Sequence, residues 1–114
     1  MSKVENEMLP HMVAWFRETY PEIAPLMVYV PRANKSLEKK GASYGSADLI
    51  LLYPSNNYHS LCIQILGRTE RNSDQHKRWR VLVENEGNEC VTLRNFDEFA
   101  EAVERYLEDS PYGD

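Results

Sequence analysis

The sequence has only two cysteines, Cys62 and Cys90, among 114 residues. They form neither a Cys-x-x-Cys pair nor part of a Cys/His cluster, so a zinc site is unsupported. Their strand-like surroundings favour two buried thiols in a reducing compartment over a disulfide or a metal pair. Long apolar runs are missing too. The longest, Ala47 to Tyr53, is interrupted by Asp48 and falls far short of the ~20 residues that cross a bilayer. The opening residues Met1-Ser2-Lys3-Val4-Glu5-Asn6-Glu7 lack the apolar centre of a signal peptide. A cytoplasmic location and no membrane partner are therefore expected. There is no P-loop and no dinucleotide fingerprint. Basic residues are in deficit, with 13 Lys and Arg against 18 Asp and Glu, a net charge of −5. That excludes a uniformly basic nucleic-acid sleeve and a membrane-surface peptide. His11, His59 and His76 fall on different predicted elements, so no Ser/His/Asp or Cys/His constellation is evident.

What remains is ordinary for a folded domain. Apolar residues make up 42% and charged residues 27%, which argues against disorder. The length suits one domain, with no linker or repeat to divide it. Lys3 to Tyr20 has helical spacing, with Met8, Met12, Trp15 and Phe16 on one face. Ser2-Lys3-Val4-Glu5 fits a capping box. Pro10 means that the helix either kinks there or begins there. Leu26 to Val30 reads as a strand, and a short helix is expected near Leu37.

Ala47 to Tyr53 is apolar on both alternation sets and predicts a strand covered on both faces. Tyr58 to Leu66 places Leu61, Ile63 and Ile65 on one face, and Cys62, Gln64 and Leu66 on the other. The two runs predict a hairpin. Ser73 caps a helix that runs to about Glu86 and stops at Gly87, with Trp79, Leu82 and Val83 as its buried face. Cys90 to Leu93 is a strand. Asn95-Phe96-Asp97-Glu98 is a second capping box, opening a helix through Leu107. Ser110 to Asp114 is a frayed tail. A strand–helix–strand crossover pairs the Tyr58–Leu66 and Cys90–Leu93 runs in parallel. The expected fold class is α/β, a small mixed sheet flanked by helices.

Several of these pieces, in this order, resemble the PD-(D/E)XK nuclease superfamily and its virus-type replication-repair nuclease (VRR-NUC) branch. Gly45-Ser46-Ala47-Asp48-Leu49 resembles the Gly-x-x-Asp-Leu segment. Gln64-Ile65-Leu66 stands where the family has Glu-x-Lys. Ser73 to Trp79 resembles the Ser-x-x-Gln helix start, with one residue rather than two between Ser73 and Gln75, and Asn95-Phe96-Asp97-Glu98 resembles the closing segment. The resemblance spans about Glu7 to Leu107 and implies a restriction-endonuclease-like αβββαβ core. It implies metal-dependent DNA endonuclease chemistry of phage or bacterial replication and repair. Carboxylates there hold Mg²⁺ or Mn²⁺, which deprotonates a water and steadies developing charge.

Transferred by position, the resemblance implies Asp48, Gln64 and Glu7 as metal ligands, with Glu5 the rival first-helix acid. Gln75 completes the catalytic set. The pattern breaks at two places. Gln64 offers a metal only a neutral carbonyl, and Leu66 offers no donor. The expectation is thus a weakened or inactive nuclease, or else a non-catalytic module that binds nucleic acid or protein on the same scaffold. Glu70, Lys77 and Arg78 are candidates for a compensating group. From Arg32 to Arg80 there are nine basic and four acidic residues, a surplus of five, so the rest of the chain carries −10. Lys35, Lys39, Lys40, Arg68, Arg71, Lys77 and Arg78 would make a rim for nucleic acid, DNA before RNA. The resemblance also implies a homodimer.

Overall fold

The computed structural model describes residues 7–113. Its elements follow the expected order. They are α1 (Leu9–Thr19), a 3-10 turn (Ala24–Leu26), β1 (Met27–Tyr29), α2 (Lys35–Lys39), β2 (Leu49–Leu51), β3 (Leu61–Ile65), α3 (Asp74–Asn85), β4 (Glu89–Leu93) and α4 (Phe96–Leu107). Pro10 lies in the first turn of α1, where its missing N–H leaves nothing unpaired. The α-helix proper begins there, with π-helical backbone at residues 7 and 8 ahead of it. The expected capping box at Ser2–Glu5 lies outside the described residues.

One sheet joins the strands in the order β1-β2-β3-β4. β1 and β3 both run antiparallel to β2, while β4 runs parallel to β3, reached through α3. The alternation of β3 sorts its side chains between two layers. Leu61, Ile63 and Ile65 join Leu49, Leu51, Met12, Phe16, Phe99, Val103 and Tyr106 in the larger core beneath α1 and α4. Cys62, with Cys90 and Ala47, meets Trp79 and Val83 of α3 on the opposite face. The order of elements is the αβββαβ core that the resemblance implies, with α4 closing it.

The caps explain where α3 and α4 begin. Ser73 Oγ accepts from His76 N–H at 3.2 Å. Asn95 Oδ1 accepts from Glu98 N–H at 2.9 Å, and Glu98 Oε1 accepts in return from Arg94 N–H at 2.8 Å. The buried residues of α4, namely Phe99, Ala102, Val103, Tyr106 and Leu107, keep the spacing of one helical stripe.

Two expectations change. Leu82 is 64% exposed rather than part of the buried face of α3. Trp79 and Val83 are four residues apart and meet the narrow Cys62/Cys90 strip, and Leu82 projects to one side of it. The tail is also not frayed through Gly113. Tyr112 packs edge-on against Tyr53 at 5.5 Å, and Ser110 Oγ donates to Leu107 O at 2.7 Å. An aromatic contact outweighs the polar composition there.

Cys62 and Cys90 stand opposite one another in the parallel register and are buried as free thiols. Burial pushes both thiols up, Cys90 to about 12. A raised pKa lowers the thiolate fraction at any pH below it. Near neutrality, Cys90 thus carries about a thousandfold less thiolate than an ordinary cysteine. Alkylation by iodoacetamide should be correspondingly slow in the native chain and become ordinary in urea. Rapid native labelling of both cysteines would contradict this burial.

Candidate functional site

Asp48 sits one residue ahead of β2. Its backbone already lies in the ladder, donating to Ile63 O at 2.9 Å and accepting from Val30 N–H at 2.8 Å. Continuing the register of Leu49 with Ile63 places Asp48 opposite Gln64. Two polar side chains thus enter the same stretch of sheet from neighbouring strands. Asp48 is 2% exposed and Gln64 is fully buried. Polar groups so deep must be paired, and each finds different partners.

The Asp48 carboxylate is held by Arg32, which follows β1. Arg32 Nε donates to Oδ1 at 2.8 Å and Nη2 to Oδ2 at 3.3 Å. Oδ2 also accepts from Ile65 N–H at 2.8 Å. The same guanidinium donates through Nη1 to both oxygens of Glu70, at 3.1 and 3.0 Å. It donates through Nη2 to the carbonyl of Ile65. Glu70 Oε1 is further fixed by Gly67 N–H at 2.9 Å. Burial pushes the Asp48 carboxyl up from its ordinary value, against the pull of Arg32 and the Ile65 N–H. Burial also works against the Arg32 charge, but the two carboxylates outweigh it and raise Arg32 above its ordinary value.

Gln64 turns the other way. Its Nε2 donates to Gly45 O at 2.9 Å and to His76 O at 3.0 Å, and its Oε1 accepts from Thr92 Oγ1 at 3.0 Å. Gly45 makes this possible. Its φ is +79°, and a Cβ there would stand 2.5 Å from the backbone of Gln75. Only glycine lets the loop approach the start of α3 so closely. The glycine of the Gly-x-x-Asp segment thus positions a carbonyl for Gln64.

The mouth of the site is a hollow of about 200 Å³ lined by Arg32, Tyr44, Asp48, Glu70, Gln75 and His76, among others. A larger hollow of about 540 Å³ lies elsewhere, near Trp15, Tyr20 and the glutamates of α4. It contains none of the candidate site residues read from the sequence.

No protein-family model matches the sequence, and no curated protein matches it. Among solved structures, the chain is similar to a VRR_NUC domain protein. The identity is 19% and the TM-score 0.81, over 100% of this chain and 93% of that one. The chain has the VRR-NUC fold. No helix among the described residues is long and apolar enough to cross a membrane.

Within this VRR-NUC fold the expected site residues do not all converge. Asp48 and Gln64 are neighbours by register. Gln75 is exposed at the first turn of α3 instead of facing the sheet, because the sheet-facing stripe begins only at Trp79. Glu7 is exposed ahead of α1 and is not among the residues lining the hollow. Glu5 lies outside the described residues. The Leu66 side chain is buried at 1% exposure and its amide donates to Leu93 O at 2.8 Å, so this strand end is dry.

As placed, these residues do not fit a divalent metal. The Asp48 carboxylate already holds a cation, and Gln64 points its amide nitrogen at two carbonyls. Among the described residues no group of three or more His, Cys, Asp or Glu could hold a metal ion. The residues that complete the site are Arg32 and Glu70. Glu70 was one of the compensating candidates, whereas Arg32 was counted only as part of the basic middle. The available signal was Asp48 itself, since a carboxylate in an apolar strand requires a cationic partner.

Proposed function

We propose that this chain binds nucleic acid, DNA in preference to RNA, on the basic surface around the Asp48 hollow, and does not cleave it. One contrast carries the reading. The interior site has its polar groups paired to the protein, whereas the rim cations make no ion pair among the described residues. Lys35, Lys39, Lys40, Arg68, Arg71, Lys77 and Arg78 are all exposed. The ion pairs among the described residues involve Arg32 and Arg80 and none of these seven. Their elements border the hollow. α2 lies between Ala33 and Ser43, the 67–72 loop carries Glu70, and Lys77 and Arg78 follow His76. Uncommitted cations around a cleft are what a phosphate backbone requires. The preference for DNA follows the resemblance to DNA endonucleases.

Without a free carboxylate at Asp48, a second acid at position 64 or a lysine at position 66, the hollow lacks the groups that would activate a water. Anisotropy titrations with duplex, branched and single-stranded DNA, and with matched RNA, test the reading. Affinity should fall steeply with salt. Lys77→Glu with Arg78→Glu should flatten the log–log salt slope by about 2. The same titrations give the number of chains bound. Binding that is absent at low salt, or unaffected by these reversals, would refute it. So would Mg²⁺- or Mn²⁺-dependent cutting that is lost in Asp48→Ala, which would establish the nuclease instead.

A further inference from the structure

Three oxygen groups converge beside the end of β3: the carboxylate of Asp48, the carbonyl of Ile65 and the carboxylate of Glu70. The guanidinium of Arg32 lies among them and donates to all three. Two carboxylates and a backbone carbonyl are hard oxygen donors, the kind that Mg²⁺ and Mn²⁺ also take. A guanidinium and a divalent ion would compete for the same atoms.

Each wall of the cradle is also held by groups other than Arg32. Asp48 is fixed through its own backbone on both sides and through Ile65 N–H to Oδ2. Ile65 is the last residue of β3, bound to the ladder by its pairing with Leu93. Glu70 is tied back by Gly67 N–H. Arg32 carries one positive charge against two carboxylates, so negative charge is left over when both are ionised.

We infer that Arg32 is a built-in cation that holds shut a divalent-cation site formed by Asp48, Glu70 and the carbonyl of Ile65. The native chain takes no metal there, and loss of the Arg32 side chain opens the site to Mn²⁺ or Mg²⁺. This rests on the same interior site as the non-cleaving reading but concerns its occupant. It accounts for an acid that stays buried although the Glu and Lys positions have become Gln64 and Leu66. The pocket retains a cation, supplied by the chain.

The test uses Mn²⁺ alone, without nucleic acid. Wild-type chain, Arg32→Ala and Arg32→Ala/Asp48→Asn are melted with and without millimolar Mn²⁺. Paramagnetic broadening of the Ile65, Gly67 and Glu70 amide signals is recorded. The wild type should not shift and should show no selective broadening. Arg32→Ala should gain roughly 5–10 °C in Mn²⁺ with broadening at those amides, and the double variant should lose both. If Arg32→Ala folds only when Mn²⁺ is added, the inference is supported. If it folds under neither condition, Arg32→Gln is measured in the same way and decides. Selective broadening in the wild type overturns the inference. So does a folded Arg32 variant that ignores Mn²⁺. A wild-type chain that takes Mn²⁺ at Asp48 yet leaves DNA intact would overturn this inference alone, while metal-dependent cutting would also overturn the non-cleaving reading.

Discussion

Gln64→Glu, which restores the resembled family's acid to β3, is expected to destabilise the chain by about 3–5 kcal/mol without creating a nuclease. The reason is the direction of the hydrogen bonds. Gln64 Nε2 donates to the carbonyls of Gly45 and His76 in a fully buried position. An ionised carboxylate has no proton to donate, so it would face two carbonyl oxygens and give up the bond that each now receives from Gln64. Neither carbonyl can withdraw easily. Gly45 is wedged against the backbone of Gln75, and His76 lies in the first turn of α3.

Adding Leu66→Lys would bury an ammonium where Leu66 is now 1% exposed, which compounds the loss. The effect carries a pH signature. Burial beside carbonyl oxygens would raise the native pKa of the new glutamate above its unfolded value. The variant's deficit relative to wild type should therefore be full at pH values above that raised pKa. It should shrink as the pH falls toward the ordinary glutamate range, where the protonated acid can donate one bond. Urea unfolding of both chains across that range measures it. A variant within about 1 kcal/mol of wild type at neutral pH would show that Gln64 is not held as described.

The sequence was most legible where local chemistry decides structure. Ser73 and Asn95 are cap residues in sequence and in fact. The alternation along β3 sorts Leu61, Ile63 and Ile65 from Cys62 and Gln64 into the two layers observed. Strand ends were less legible. Tyr58 to Ser60 read as strand, but Asn56 and Asn57 adopt positive φ and Tyr58 pairs back to Ser55, so β3 starts only at Leu61.

The site was legible in what it lacks and not in what replaces it. Asp48 required a partner, and the chemistry missing at Gln64 and Leu66 could be read directly. The partner's identity could not. Arg32 lies 16 residues before Asp48 and Glu70 lies 38 after Arg32. Only the pairing of β1 with β2, and the return of the loop after β3, bring them together. Composition recorded Arg32 only as one more cation of a basic middle.

Arg32→Ala, measured without metal, should lower stability by about 3–5 kcal/mol, because it leaves a buried carboxylate unpaired. At roughly 4 °C per kcal/mol for a domain of this size, that is a fall of about 12–20 °C in melting temperature. The exposed Arg80–Glu84 pair, with both side chains 41% exposed, is a useful contrast. Its removal should change stability by about 0.5 kcal/mol or less, and added salt should erase the difference. The Arg32 effect should survive salt. Breaking a pair, however, does not measure what the pair is worth. Arg32→Met with Asp48→Leu removes both charges and keeps apolar volume, and a double-mutant cycle with the single variants isolates their coupling. A double variant about as stable as the native chain, beside a badly destabilised Arg32→Ala, would mean that the pair adds little net stability. Its role would then lie in exclusion, keeping a cradle of hard oxygens filled by the chain's own cation.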